Sequence, residues 1–250
     1  MVRHIFRSAV ACVVMTWGAA AVAGVVAGHV DDFEDGTTQG WSINLLGQGS
    51  STFAPVNVAS GGPSGVDDNY LLLTSIGVDG PGSRLTAFNV GDAWQGDYAA
   101  LGIGSIRLHA RNLGNSDLAL RLLVANPGSG PPTDSAFSST ALSLPAGGGW
   151  TLLEFSLDPH DLTAGVGSVA GALADVTMLR LFHSSTAGFP GEAIVAQLGI
   201  DNVFAVGSGG GTVPEPASWL LATTALFGLR LARRRGRSIT SAAHRPSPGG

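Results

Sequence analysis

Two oxygen-rich stretches stand near the two ends of the central part of this 250-residue chain. The first is Asp31-Asp32-Phe33-Glu34-Asp35-Gly36-Thr37-Thr38-Gln39-Gly40-Trp41, and the second is Gly199-Ile200-Asp201-Asn202-Val203-Phe204-Ala205-Val206. An acidic body of this kind is compatible with bound divalent cations, which take oxygen ligands. The competing reading makes the first stretch a solvated entry turn and Asp201 the cap of a strand end. Asp67-Asp68-Asn69 could add an oxygen, but a turn is the preferred reading. Large rings are the second chemical resource. Trp94, Tyr98 and Trp150 are the candidates to stack on a sugar, with Trp94-Gln95-Gly96-Asp97-Tyr98 the most ligand-like group. A tryptophan in a β-protein more often packs in the core, which is where Trp41 is expected.

Catalysis has little to work with. His109, His160 and His183 are scattered, and neither His-Glu-x-x-His nor Gly-x-Ser-x-Gly occurs. Asp158-Pro159-His160-Asp161 is turn material before it is a ligand cluster. The two carboxylates of a glycosidase need no fixed spacing, so the many acids carry no information about that activity. A non-enzymatic protein is expected. The single cysteine, Cys12, lies in the N-terminal segment, so the body has no disulfide, zinc-thiolate site or cysteine nucleophile.

The elements that must position these residues are short strands. The 37 glycines and 12% charged residues indicate a loop-rich β-protein. All 13 basic residues are arginine, and the overall charge of −5 hides an asymmetry. Residues 28–206 contain 17 acids and five arginines, a net charge of −12, which argues against a nucleic-acid partner. The clearest strands are Tyr70–Thr74, Ser105–Ala110, Leu118–Val124, Trp150–Leu157, Met178–Phe182 and Ile200–Val206. Ile106, Leu108 and Ala110 alternate with Arg107 and His109, so one face is core and the other solvent. Leu118, Leu120, Leu122 and Val124 read the same way, with Arg121 outward. Residues 161–175 have room for one helical turn. Many short strands without βαβ alternation predict an all-β fold: a two-sheet antiparallel sandwich, a jelly roll.

The chain ends are targeting segments. Residues 1–23 read as a secretory signal peptide, with Arg3 and Arg7, an apolar core, and Ala21-Val22-Ala23 before the cut. Residues 24–206 form the body, and 207–212 a Gly/Ser linker. Residues 213–237 hold Pro214-Glu215-Pro216, an uncharged run from Ala217 to Leu229, and an arginine cluster including Arg233, Arg234 and Arg235. At 13–16 apolar residues, the run is short against the roughly 20 of a full transmembrane helix, a marginal span suited to temporary retention. Residues 238–250 form a disordered tail.

Two resemblances follow from these residues. Pro214-Glu215-Pro216, the short apolar helix and the arginine cluster resemble the PEP-CTERM sorting signal of exported Gram-negative proteins, although such signals usually stop soon after the basic cluster. The resemblance implies an exosortase partner, transient inner-membrane anchoring, and a destination in the cell envelope, on the surface or outside. It further implies a component of an exopolysaccharide or biofilm matrix. The Asp31–Trp41 and Gly199–Val206 stretches resemble the edge pattern of galactose-binding-like jelly rolls, the fold of many carbohydrate-binding modules. That likeness implies that the first and last strands pair. It also implies that Glu34, Asp201 and then Asp32 hold a structural Ca²⁺. The alternative functions are a module recognising an extracellular glycan through Trp94, Tyr98 or Trp150, and, third, a secreted glycan-active enzyme.

Overall fold

The computed structural model describes residues 24–43, 53–78, 82–127 and 130–209. The expected signal peptide, residues 210–212 of the linker, the sorting segment with its expected membrane helix, and the expected tail lie outside the described residues. The chain divides into one compact unit up to Ser208 and a second from Gly209 onward.

Thirteen strands occur among the described residues: β1 (Val30–Asp31), β2 (Trp41–Ser42), β3 (Val56–Val58), β4 (Tyr70–Ile76), β5 (Thr86–Asn89), β6 (Ile103–Asn112), β7 (Leu118–Asn126), β8 (Asp134–Ser138), β9 (Leu142–Leu144), β10 (Thr151–Ser156), β11 (Leu162–Val166), β12 (Met178–His183) and β13 (Val195–Gly207). They build two sheets. The first has the order β10-β6-β13-β4-β3, with β1 also paired to β13; the second runs β11-β8-β7-β12-β5-β2, with β9 also paired to β7. All pairings between these strands are antiparallel. The expected two-sheet sandwich is therefore present, and the first strand does lie beside the last: Val30 pairs with Phe204 and Asp31 with Val203. One helix, α1 (Val169–Ala174), falls within the stretch expected to hold a turn, and the Ser168 hydroxyl caps it by accepting from Gly171 N–H at 2.9 Å. Among the described residues no helix is long and apolar enough to cross a membrane.

The core follows the period-two pattern. Leu71 and Leu73 of β4, Ile106, Leu108 and Ala110 of β6, and Leu198 and Ile200 of β13 face Leu118, Leu120, Leu122 and Val124 of β7 and Leu179 and Leu181 of β12. The second sheet carries a further apolar set on its other face. Phe88, Leu123, Ala125, Phe137, Met178 and Phe182 form a separate buried cluster. Arg121 points to that face as expected, yet it is buried: Nη1 donates to Ser138 O at 2.7 Å and Ser139 O at 2.8 Å, and Nε to Ser184 O. Three carbonyls make its burial tolerable.

The N-terminal strand is fastened by one carboxylate. Asp31 Oδ2 accepts the indole N–H groups of Trp41 and Trp94, each at 2.7 Å, and the Asn89 amide at 3.3 Å. His29 Nε2 lies 3.4 Å from Oδ1. Burial raises the Asp31 pKa, and the two indole bonds and His29 oppose that rise. Removing the acceptor would strand two buried indole donors, each costing about 1–3 kcal/mol. Asp31→Ala should therefore lower unfolding stability by about 3 kcal/mol or more in urea titration, and Asp31→Asn by less, because an amide oxygen still accepts. A change under about 1 kcal/mol for Asp31→Ala would show that the indoles find other partners.

Candidate functional site

The acidic junction sits where the chain ends meet. Asp201, in the middle of β13, pairs with His109 of β6, and the register slips between Asp201 and Phe204. The slip is a bulge whose extra turn is taken by Asn202 at φ 49°, a conformation asparagine tolerates. Asp201 is fully buried, and its carboxylate accepts from Asn202 N–H at 2.6 Å and Asn202 Nδ2 at 2.8 Å. Burial pushes its pKa up to about 7; the Asn202 bond opposes this, while Asp68, Glu34 and Asp32 add to it.

Phe33 organises the facing loop. It lies at φ 58°, a strained position for an aromatic residue, and its ring is fully buried between the flanking acids Asp32 and Glu34. Gln39 Oε1 accepts the Phe33 N–H, while Asn57 and Asn69 amides donate to its carbonyl. Glu34 Oε1 accepts from Asn69 N–H at 2.8 Å, and Asp32 Oδ1 from Glu34 N–H at 3.3 Å and Gln39 Nε2 at 3.2 Å. Asp32, Glu34 and Asp68 all act on the Asp201 charge, but oxygens of Asp32 and Glu34 accept from N–H groups of the loops, and those of Asp201 from Asn202. Among the described residues, no three His, Cys, Asp or Glu side chains stand as ligands around one ion. As placed, the donors do not form a closed cation site.

The three candidate rings do not share a surface. Trp94 and Tyr98 are buried to 1% and 0% exposure. Trp94 is committed to Asp31, and the Tyr98 hydroxyl donates to Trp94 O at 2.7 Å. Neither can stack on a ligand. Trp150 is half-buried on the outer face of the first sheet, and its partner is Tyr70, which the sequence reading passed over: the rings meet edge-on at 5.3 Å and 73°. Both rings lie over Gly199, where an added Cβ would meet Trp150 Cη2 at 2.9 Å and Tyr70 Cδ2 at 3.2 Å. A glycine inside a strand pattern signals such a close approach, so Gly199 was the available clue.

A polar cleft of about 190 Å³ is lined by Glu154, His160 and Asp161, among others. The Asp158–Asp161 segment is a single 3-10 turn, capped by Asp158 accepting from His160 N–H at 2.9 Å. Glu154 pairs with Arg107 at 2.8 Å and accepts from Ser105 Oγ at 2.6 Å, and these contacts hold its pKa below the usual range. A glycosidase general acid needs the opposite shift. His183 is structural: Nδ1 accepts from Ala119 N–H at 3.0 Å, and burial lowers its pKa.

In fold, the chain resembles known carbohydrate-active proteins. It superposes on part of an exo-β-agarase with a TM-score of 0.51 at 12% identity, over 72% of this chain and 25% of that one. The chain therefore spans about a quarter of the agarase's length. A family 11 carbohydrate-binding module of Clostridium thermocellum gives 0.46 at 11% identity, covering 74% and 96% of the two chains. A carbohydrate-binding module specific for non-crystalline cellulose gives 0.40 at 16%, covering 76% and 96%. No curated protein sequence matches the chain. The C-terminal segment is more specific: residues 212–235 match the PEP-CTERM protein-sorting motif, and include Pro214, Glu215, Pro216 and the arginines 233–235.

Asp201 sets a pH dependence. In the absence of divalent cations, the folded chain keeps a proton there up to about pH 7, while the unfolded chain releases it near the ordinary aspartate value of 3.8. The stabilisation is complete below about pH 4 and is lost as pH rises through 7. Thermal midpoints in EDTA should fall from pH 5 to pH 8, and Asp201→Asn should flatten that fall and raise the pH 8 midpoint. An unchanged profile in the variant would mean that Asp201 is ionised throughout.

Proposed function

We propose that this chain is an exported cell-envelope or extracellular protein, processed by an exosortase and contributing a non-enzymatic β-sandwich to an exopolysaccharide matrix. The observation that carries this reading is the sorting-motif match at residues 212–235. Proline restricts the backbone around Glu215, which favours an extended segment that a protease can engage. The −12 charge of residues 28–206 suits a soluble body in a hydrated matrix. In a Gram-negative host with an exosortase, the wild-type chain should lose its C-terminal segment and leave the inner membrane. Pro214→Ala with Pro216→Ala should remain uncleaved in the inner-membrane fraction. Equal processing of both, read by mass spectrometry of the C-terminus, would remove the exosortase from the account.

A structural Ca²⁺ at the acidic junction belongs to this reading. Its support is the electrostatic influence of Asp32, Glu34 and Asp68 on the buried Asp201 carboxyl, at the junction where β1 pairs with β13. Binding requires Glu34 and Asp32 to release the backbone N–H groups they now accept. Millimolar Ca²⁺ should raise the thermal midpoint over that in EDTA by several degrees, about 2.7 kcal/mol at 100 times the dissociation constant. The increment should vanish in Glu34→Ala and Asp201→Ala. The same midpoint with and without Ca²⁺ would dismiss the ion.

A second reading, glycan recognition, is favoured by the half-exposed Trp150–Tyr70 pair. Aromatic faces stack on the apolar faces of pyranoses, and the fold shared with part of an exo-β-agarase makes a sugar the natural ligand to test.

A further inference from the structure

The glycan reading can be taken further, because the aromatic pair does not stand alone. Trp150 immediately precedes Thr151, whose register partner is Ala110, so it stands at the level of Arg111 on β6. Arg111 in turn pairs with Gly199 of β13, and Gly199 with Leu72 of β4. The indole contacts Gly199 two strands away, so it lies across the sheet and above the Arg111 position. Trp150 Nε1 donates to Gly61 O at 2.9 Å, and Tyr70 holds its edge, so the ring is fixed before any ligand arrives. A fixed ring loses little freedom on binding.

Beside it, a groove of about 390 Å³ is lined by Arg111, Asn115, Gly147 and Gly148, among others. This is within the size range of small-ligand sites. The two outward arginines of β6 differ. Arg107 is ion-paired with Glu154 at 2.8 Å, whereas among the described residues Arg111 has no carboxylate within ion-pair distance, and its buried Nε has no hydrogen-bond partner to hold the guanidinium in place. The acid near the groove, Asp117, accepts from Ala146 N–H at 2.9 Å. An unpaired guanidinium next to an aromatic platform, in a body rich in acids, selects for a planar anion at contact distance.

We propose that the Trp150 ring and the groove lined by Arg111 beside it together form a binding subsite for an acidic polysaccharide, one whose pyranose rings carry carboxylates. A ring stacks on Trp150, its carboxylate meets the Arg111 guanidinium, and Asn115 and the glycine-lined turn face its hydroxyls. The inference rests on the glycan reading and names its ligand class. The body's negative charge opposes long-range attraction, so recognition is a matter of contact and not of steering.

The test is calorimetric titration of the full chain in a non-glycosidic detergent, with α-1,4-hexagalacturonate as the acidic probe and cellohexaose as the neutral one. Hexagalacturonate should bind at least about tenfold more tightly, a margin one charge-assisted contact supplies. Arg111→Gln should erase that margin and leave cellohexaose unaffected. Trp150→Ala should abolish binding of both. Gly199→Ala, which displaces the indole without deleting it, should weaken both, with the thermal midpoint of each variant serving as the folding control. If the probes bind alike and Arg111→Gln changes neither, the acidic preference is overturned and glycan binding stands. If wild type binds neither at millimolar concentration, the glycan reading itself fails.

Discussion

The double indole bond to Asp31 is the constraint from which the architecture of this molecule follows. β1 is two residues long, too short to hold its place through ladder bonds alone. Its fixed position comes from Asp31, which reaches Trp41 from the start of the second sheet and Trp94 from the turn after β5. One buried carboxylate thereby ties the first strand to both layers of the sandwich. An apolar residue at 31 would leave two donors without acceptors, so an acceptor oxygen is needed there despite the cost of its desolvation.

With β1 fixed, β13 becomes the spine of the first sheet. It contacts β6 on one side, β4 on the other and β1 near its end, so it carries residues from three neighbourhoods on one strand. Two irregularities on it make the outer face chemically distinctive. The bulge at Asn202 leaves Asp201 buried on the side of the acidic loop, and the missing side chain at Gly199 lets two rings lie down on the sheet. Both are departures from an ideal strand, and both sit next to the groups most suited to a ligand.

The sandwich was legible because alternation is a local signal. Ile106, Leu108 and Ala110 face the core as their spacing requires, and six strands were placed close to where they lie. That the first strand pairs with the last followed from the edge resemblance, whereas the short strands β2, β3 and β9 carry too few residues to show any period. The rings were harder. Trp94 and Tyr98 flank polar residues in a loop, which reads as exposure, but the decisive fact is that Asp31 and the Trp94 carbonyl satisfy their polar atoms inside. That satisfaction depends on partners 63 and 4 residues away. A sequence window sees only the second. Tyr70 was hidden for the opposite reason: it opens a strand, which says nothing of its ring, and its partner Trp150 is 80 positions distant.

The position of the aromatic pair separates a binding face from a merely exposed one. Val195 at 66% and Val56 at 55% are more open apolar side chains of the same sheet, and exposure alone does not make either a binding element. Trp150 is less exposed and more constrained: its N–H is bonded, its edge is held by Tyr70, and an unpaired arginine stands at its level. Order before binding distinguishes a recognition surface, because a mobile ring would spend its stacking energy on its own immobilisation. Gly199 is what permits that order. A side chain there would restore an ordinary strand and push the indole into solvent, so the least chemically endowed residue of β13 is the one on which the binding face depends.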